Sequence, residues 1–197
     1  QPRSRGLGDV YKRQGHGGIN NVSHLYQELI HVPLIIYHPN FSPKTVDLPV
    51  STTDIVPTII SNVNKKFHDM KQFDGINILN FDEIDQNRIL FSEASLYNYK
   101  RGILRIGPKE KVAIAVRIGR WKYIHYESDQ MKNELYDLER DPYEKRNMID
   151  NYSDLGASIY KNVIQKRVKK IRRWLIKQTY LSARRHTVFS RKKNVRD

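Results

Sequence analysis

Two histidines near the beginning of the sequence are the residues best suited to anion-binding or acid–base chemistry. His16 lies in the glycine-rich segment GHGGINN, and His24 directly precedes the run LYQEL. A glycine-rich loop lets the backbone approach an anion closely. An imidazole can donate a hydrogen bond to that anion or act as a general acid near neutral pH. For His24 the alternative is a local role, in packing or capping at the start of a helix.

Other nucleophiles and metal ligands are sparse. The 197 residues include no cysteine, which excludes a thiolate nucleophile, a disulfide framework and a cysteine-based zinc site. Asp137, Asp141 and Glu144 resemble a cation site superficially, but their spacing is not that of an EF-hand loop. We interpret them as a turn with solvated charges. We interpret Asp54 as a helix-start residue, where the helix dipole favours an acid, rather than as a ligand.

The elements that must position the two histidines are a short helix and a strand. Residues 23–30 predict the helix. Residues 31–37 follow as a nearly continuous apolar run, which indicates a strand buried on both faces, as in the sheet of an α/β protein. Residues 50–63 predict a loop and a second helix that carries an apolar stripe. This stripe comprises Ile55, Ile59 and Val63.

Further along the chain, four segments have the composition of strands. They are residues 88–94, 112–118, 121–126 and 134–138. Gly119 and Arg120 join the second and third of these segments at hairpin length. We therefore expect the last three segments to form a small antiparallel sheet.

Positive charge is concentrated at one end of the chain. Residues 157–197 hold 14 Lys and Arg against one acid, whereas residues 1–156 hold 21 Lys and Arg against 20 acids. The C-terminal segment therefore carries nearly all of the net charge of +14. Its pattern predicts an amphipathic helix over residues 158–182 and a poorly anchored tail. The apolar stripe of this helix comprises Tyr160, Ile164, Val168, Ile171 and Leu175. No apolar run in the sequence reaches the roughly 20 residues of a transmembrane helix.

Five motifs occur in the order in which they follow one another in the type I sulfatases, enzymes of the alkaline-phosphatase-like superfamily. The run LYQELIHVPLIIYHP (25–39) resembles the family's LYEE and VPLI elements. The run NELYDLERDPYEKRN (133–147) resembles its ELYDL and DP-x-E-x-x-N elements near the C-terminus. Between these runs, VSTTDIVPTII resembles a DI-x-PT element and FDGINIL resembles a DG-x-SL element. RILFSEA and VAIAVRIGRWKYIHY resemble strands of the family's C-terminal subdomain.

This resemblance implies an α/β fold class, as the C-terminal part of an alkaline-phosphatase-like α/β/α sandwich. On this interpretation, residues 15–105 belong to the α/β domain and residues 106–156 form a small antiparallel subdomain. Residues 157–197 form a basic helix and tail outside the family pattern. The implied activity of the whole enzyme is hydrolysis of sulfate esters on a small molecule or a glycan.

The resemblance also implies the chemistry of that enzyme. A sulfatase uses a formylglycine nucleophile made in a C/S-x-P-S-R motif, and calcium or a similar divalent cation that draws charge from the sulfate oxygens. This sequence contains neither that motif nor the family's metal-binding Asp pair. No nucleophile or metal ligand is therefore carried over, and we expect this chain alone to be inactive. One basic group is carried over, to contact sulfate or protonate the leaving oxygen. His16 is the best match for it and His24 the second.

Two other interpretations stay open. A phosphodiesterase, phosphonate hydrolase or phosphoglycerol transferase of the same superfamily would differ in its nucleophile and metal number, both of which are expected upstream. Alternatively, residues 157–197 could act as a binding module for nucleic acid, a membrane surface or another polyanion. Because this segment contains no nucleic-acid-binding motif, we expect no specific nucleic-acid binding. A sulfated glycan would suit a sulfatase better.

Residues 1–14 differ from the rest of the chain. The segment SRGLGDVYKRQ (4–14) resembles the in-frame translation of a transposon sequencing adaptor, because GATGTGTATAAGAGACAG encodes DVYKRQ. We therefore expect residues 1–14 to be an artefact, the alternative being a basic, glycine-containing arm. The natural start and any signal peptide would then lie upstream of residue 15.

Overall fold

The computed structural model of the chain describes residues 24–37, 39, 42–63, 70–95, 111–129, 131–177 and 180. Its helices are α1 (Gln27–Ile30), α2 (Ile55–Val63) and α3 (Ser153–Ile159). Its strands are β1 (Ile89–Ser95), β2 (Val112–Ile118), β3 (Trp121–Tyr126) and β4 (Glu134–Asp137). Three 3-10 turns comprise Thr52–Asp54, Met70–Gln72 and Phe81–Glu83.

The four strands form one antiparallel sheet in the order β1-β2-β3-β4. The three strands predicted to pair do so, and β1 extends the sheet along β2. Ile118 at the end of β2 pairs with Trp121 at the start of β3, so Gly119 and Arg120 form a two-residue turn between the strands. Gly119 has φ 55°, a left-handed conformation that a glycine adopts without a steric penalty. The predicted hairpin is therefore confirmed.

Both faces of this sheet are covered, because successive side chains of a strand point to opposite sides. On one face, Ala113, Ala115 and Ile124 pack with Leu25 and Tyr26 next to α1. The other face packs against the C-terminal part of the chain. This second cluster includes Ile114, Val116, Tyr123, Leu135, Ile159 and Ile164. The sheet is thus the centre of a layered arrangement, as the α/β fold class predicts.

The second face is covered by what we call the C-terminal helix, residues 153–177. It consists of α3, a π-helical turn over Tyr160–Ile164 and regular helix over residues 165–177. The helix begins five residues earlier than predicted. Its predicted apolar stripe does face the sheet, and Ile164 and Leu175 are buried. Within the described residues, no helix combines the length and the hydrophobicity needed to cross a bilayer.

The prediction for residues 31–37 is wrong. This segment has no regular secondary structure and is exposed along its whole length. The side chains of Ile35 and Tyr37 are 90% and 91% exposed. A strand buried on both faces needs neighbouring strands, and none of the described strands pairs with this segment. The helix before it is also shorter than predicted, since α1 begins at Gln27.

Candidate functional site

The two histidines singled out by the sequence differ in what the structure describes. His16 lies outside the described residues. His24 is partly buried just before α1, and its ring stacks on that of Tyr26 with centroids 5.5 Å apart and an angle of 19° between the planes. Its Nδ1 is buried and has no hydrogen-bond partner among the described residues. The structure therefore gives His24 a packing contact, while its catalytic role stays a prediction.

The ring beneath His24 belongs to a tyrosine cluster around Glu134. The Tyr26 hydroxyl donates to Glu134 Oε1 at 3.0 Å, and the Tyr136 hydroxyl donates to Oε2 at 3.0 Å. Burial, reinforced by the nearby Glu134 carboxylate, raises the pKa of Tyr26 to about 12. The same two causes raise the pKa values of Tyr126 and Tyr136 above the ordinary range. All three are therefore neutral phenols near pH 7, which suits hydrogen bonding rather than nucleophilic attack.

A buried ion pair lies beside this cluster. Lys122 Nζ is 2.5 Å from Glu144 Oε1, and both side chains are 1% exposed. Glu144 Oε2 accepts the backbone N–H of Gln27 at the start of α1, and Lys122 Nζ donates to Gln27 Oε1 at 3.4 Å. Burial lowers the pKa of Lys122, and Glu144 opposes this shift. Because Glu144 lies in NELYDLERDPYEKRN and Gln27 in LYQEL, this pair joins the two most characteristic runs of the sequence.

Asp54 joins the start of its own helix to the segments that contain Ile76 and Arg88, and we call this set of contacts the Asp54 junction. Its carboxylate accepts two hydrogen bonds from Arg88, at 2.9 and 2.8 Å. It also accepts the backbone N–H groups of Ser51 and Ile76, at 2.7 and 2.9 Å. Ser51 and Asp54 form a capping box, so the interpretation of Asp54 as a helix-start residue is confirmed.

Thr58, one helical turn after Asp54, completes this junction. Its hydroxyl accepts the backbone N–H of Ile78 at 3.0 Å and donates to the Asp54 carbonyl at 2.6 Å. The two side chains thus hold alternate amides of the segment that follows Gly75. A Cβ on Gly75 would lie 2.2 Å from the Thr53 carbonyl oxygen. This close approach explains the pairing of the DI-x-PT and DG elements.

The prediction of solvated charges after β4 is wrong for two of its three residues. Asp137 and Glu144 are almost fully buried. Asp137 lies 3.3 Å from an Arg120 guanidinium nitrogen, and Glu144 pairs with Lys122. They are buried because basic partners from β3 and its preceding turn compensate their charge. Sequence reasoning missed the Lys122 pair, although a lysine inside the otherwise apolar and aromatic strand WKYIHY is a signal of a buried partner.

The described residues do not assemble a metal centre. No group of three or more His, Cys, Asp or Glu side chains within them could hold a metal ion. Their buried carboxylates are already engaged by Arg88, Arg120, Lys122 and the tyrosines. These residues therefore do not fit the divalent cation expected of the whole enzyme. Their arrangement fixes segments relative to one another.

The family resemblance of the sequence agrees with the comparison to known protein families. The chain belongs to the sulfatase family described as N-sulphoglucosamine sulphohydrolase, C-terminal, which matches residues 15–173. The predicted membership of the type I sulfatases is therefore confirmed, and with it the C-terminal part of an alkaline-phosphatase-like fold.

Individual relatives are more distant. The chain is 25% identical over 138 residues to a choline-sulfatase of Rhizobium meliloti (strain 1021), covering 70% of this chain and 25% of the relative. It spans about a quarter of the length of that relative. Among solved structures, a 2-O GAG sulfatase overlays with a TM-score of 0.44 and 22% identity, covering 59% of this chain and 24% of that one. A phosphonate monoester hydrolase of Agrobacterium radiobacter overlays with a TM-score of 0.44 and 19% identity, covering 63% and 26%.

Proposed function

We propose that this chain is the C-terminal part of a sulfuric ester hydrolase. The observation that carries the proposal is the family match over residues 15–173. The structure supplies a physical basis for this assignment, because Glu144 and Lys122 tie the two characteristic runs together at a buried site. In this role, the residues described above are a scaffold that holds the end of an active-site segment.

In the proposed enzyme, the nucleophile and the residues that hold the cation come from sequence upstream of residue 15. When present, they supply the attacking oxygen and the Lewis acid that stabilises charge on the sulfate. This chain would contribute His16, with His24 as the second candidate. A packed Tyr26 ring beneath His24 would fix the orientation of its imidazole.

Exposed apolar side chains support the proposal that this chain is one part of a larger enzyme. Residues 32–37 present apolar side chains to solvent, and so does the stripe of α2, where Val63 is 81% exposed. Exposed apolar side chains in this number are uncommon on an independent domain and indicate a missing contact. We propose that the rest of the enzyme covers residues 32–37.

The activity test compares the parent enzyme with this chain. The purified parent is expected to hydrolyse an aryl sulfate, and the 197-residue chain is expected to give no turnover above buffer. Turnover by the chain alone would contradict the proposed division of the site. A parent that hydrolyses a phosphonate monoester or phosphodiester but no sulfate ester would favour the phosphorus-transfer alternative within the same superfamily.

Histidine variants of the parent test the two site assignments. His16→Ala is expected to lower kcat by a factor of about 10²–10⁴, the usual contribution of a general acid. His24→Ala serves as the matched comparison and is expected to act mainly through stability, because its imidazole packs on Tyr26. Equal losses of kcat in two well-folded variants would place His24 in the site as well.

A further inference from the structure

The cations of residues 166–177 in the C-terminal helix fall into two groups. One group pairs with acids of the body: Arg167 contacts Asp74 at 3.1 Å and also Glu93, and Lys170 contacts Asp74 at 2.6 Å. Arg172 pairs with Glu127 on the other side of the helix. These pairs hold the helix on the sheet, so part of the predicted cationic surface is neutralised.

The second group has no such partner. Lys166, Lys169, Arg173 and Lys177 are exposed, and none of them forms an ion pair with an acid in the part of the chain that the structure describes. At about 100° per residue these four positions occupy roughly 80° of the helix circumference. They therefore form one continuous row, which we call the cationic row.

An open cavity of about 510 Å³ adjoins this row. Its walls are the end of β3 with the turn that follows, and the middle of the C-terminal helix over residues 160–169. Lys169 belongs both to the cavity wall and to the cationic row. Other lining residues include His125, Asp129, Tyr160 and Gln165.

A hydrogen bond and a ring contact fix the aromatic side chains of the cavity wall. His125 Nδ1 lies 2.9 Å from Asn133 Oδ1, an oxygen that also accepts the backbone N–H of Tyr126 at 3.3 Å. Since that oxygen is an acceptor, His125 Nδ1 carries a proton. The His125 ring also contacts the ring of Tyr160 at 5.1 Å between centroids. Tyr160 begins the π-helical turn, a local irregularity that often accompanies a binding site.

The polar groups of the cavity suit a ligand with hydroxyl donors. Asp129 is exposed, and its contact with Lys111 is a loose one at 3.8 Å, so its oxygens are open to additional donors. Gln165 is also exposed and offers both a donor and an acceptor. Glu127 adds negative charge to the wall, although Arg172 and the backbone N–H of Val112 bind it. A carboxylate at this position accepts hydrogen bonds from sugar hydroxyls.

We propose that this cavity and the cationic row together bind an anionic glycan. One sugar unit lies in the cavity against Tyr160 and donates hydroxyl hydrogen bonds to Asp129 and Gln165. The sulfate or carboxylate groups of neighbouring units contact Lys166, Lys169 and Arg173 on the row. His24 is not among the lining residues of the cavity, and the proposal concerns binding rather than hydrolysis.

The first experiment measures affinity of the full 197-residue chain at low salt for a heparin hexasaccharide, for its desulfated, N-acetylated form and for a DNA duplex. The expected order is tight binding of the sulfated hexasaccharide and much weaker binding of the other two. Lys166→Gln/Lys169→Gln/Arg173→Gln is expected to lower the heparin affinity about tenfold. The control Lys71→Gln/Lys132→Gln/Arg146→Gln makes the same charge change elsewhere and is expected to have less than about a twofold effect.

The second experiment separates a specific cavity from general attraction between opposite charges. Asp129→Asn removes a negative charge, so a purely electrostatic surface would bind heparin more tightly. The proposed hydroxyl contact instead predicts about threefold weaker binding. Asp82→Asn, at an exposed position outside the cavity, is the control.

Several results would overturn the proposal: equal losses in the two triple variants, DNA binding as tight as heparin binding, or tighter binding by Asp129→Asn. Unchanged circular dichroism and thermal midpoints are required of each variant. No hydrolysis is measured, so failure of this site would leave the proposed sulfatase function intact. An inactive parent would likewise leave the binding result intact.

Discussion

In residues 111–177 the apolar side chains of the sheet are covered on both faces, whereas in residues 31–63 many comparable side chains face solvent. Ile114, Ile124 and Leu135 are 0% exposed. Ile35, which lies in the more continuously apolar run of the two regions, is 90% exposed. The difference lies in the partners, since β2–β4 find theirs among the described residues and residues 31–37 do not.

This comparison separates two properties that a hydrophobic pattern combines. The pattern measures the tendency of a segment to be buried, but burial itself requires a complementary surface. Residues 111–177 therefore form a self-contained core together with β1, Leu25 and Tyr26, and residues 31–63 behave as half of an interface. The following predictions test that division, beginning with the largest expected effect.

The buried ion pair should be the most sensitive point of the self-contained region. Lys122→Met leaves the Glu144 carboxylate buried without its cation, at an expected cost of about 3–5 kcal/mol in the free energy of unfolding. Adding Glu144→Gln removes the orphaned charge and should recover about 1–2 kcal/mol, because the two sites are coupled. Urea unfolding of the single and double variants measures both values. Additive losses would mean that the pair carries no coupling.

Truncation of one apolar side chain in each region tests the comparison directly. Leu135→Ala opens a cavity in the core and should cost about 2–5 kcal/mol. Ile35→Ala removes an exposed side chain and should change the stability of this chain by less than about 0.5 kcal/mol. Urea midpoints of both variants measure these two changes in stability. A comparable loss at Ile35 would show that residues 31–37 are packed in solution.

The Asp54 junction lies at the border between the two regions. Asp54→Asn keeps the shape of the side chain but weakens its charge-assisted bonds to Arg88, with an expected loss of about 1–3 kcal/mol. Hydrogen exchange should accelerate at the Ile76 amide and in α2, while the amides of β3 keep their protection. Asp82→Asn, at an exposed position, is the matched control. Uniform loss of protection would indicate that both regions unfold as one unit.

Alkaline pH should weaken the self-contained region through its tyrosines. Burial raises the pKa of Tyr26 and Tyr123 from 10.0 to about 12. Their protons are held more tightly in the folded chain, so this stabilisation is fully present below pH 10.0 and is lost as the pH rises through 12. One unit above 10.0, the expected loss is roughly 1 kcal/mol for each tyrosine. Urea midpoints and tyrosinate absorbance across this range measure it. Constant stability between these limits would contradict the shifts.

Sequence reasoning succeeded where local pattern and long-range packing agree. Strands β2 and β3 have the predicted bounds, the Gly119 turn is present, and the stripe of the C-terminal helix faces the sheet. It failed at residues 31–37, because no local signal reports whether neighbouring strands are available. It also missed the contact of Lys122 with Glu144, because the partner of a buried charge is set by tertiary structure. The position of His16 still rests on the resemblance alone.

The ion pair of Lys122 and Glu144 also has a consequence for the order of folding during synthesis. Gln27, whose amide Glu144 accepts, precedes that glutamate by 117 positions. The start of α1 therefore cannot reach its final anchor until the chain up to Glu144 has left the ribosome. A ribosome that stalls between these points would expose a lysine-bearing sheet without its counter-ion, next to an uncovered apolar segment. The contact of Gln27 with Glu144 therefore belongs to the later steps of folding, because the two residues are 117 positions apart.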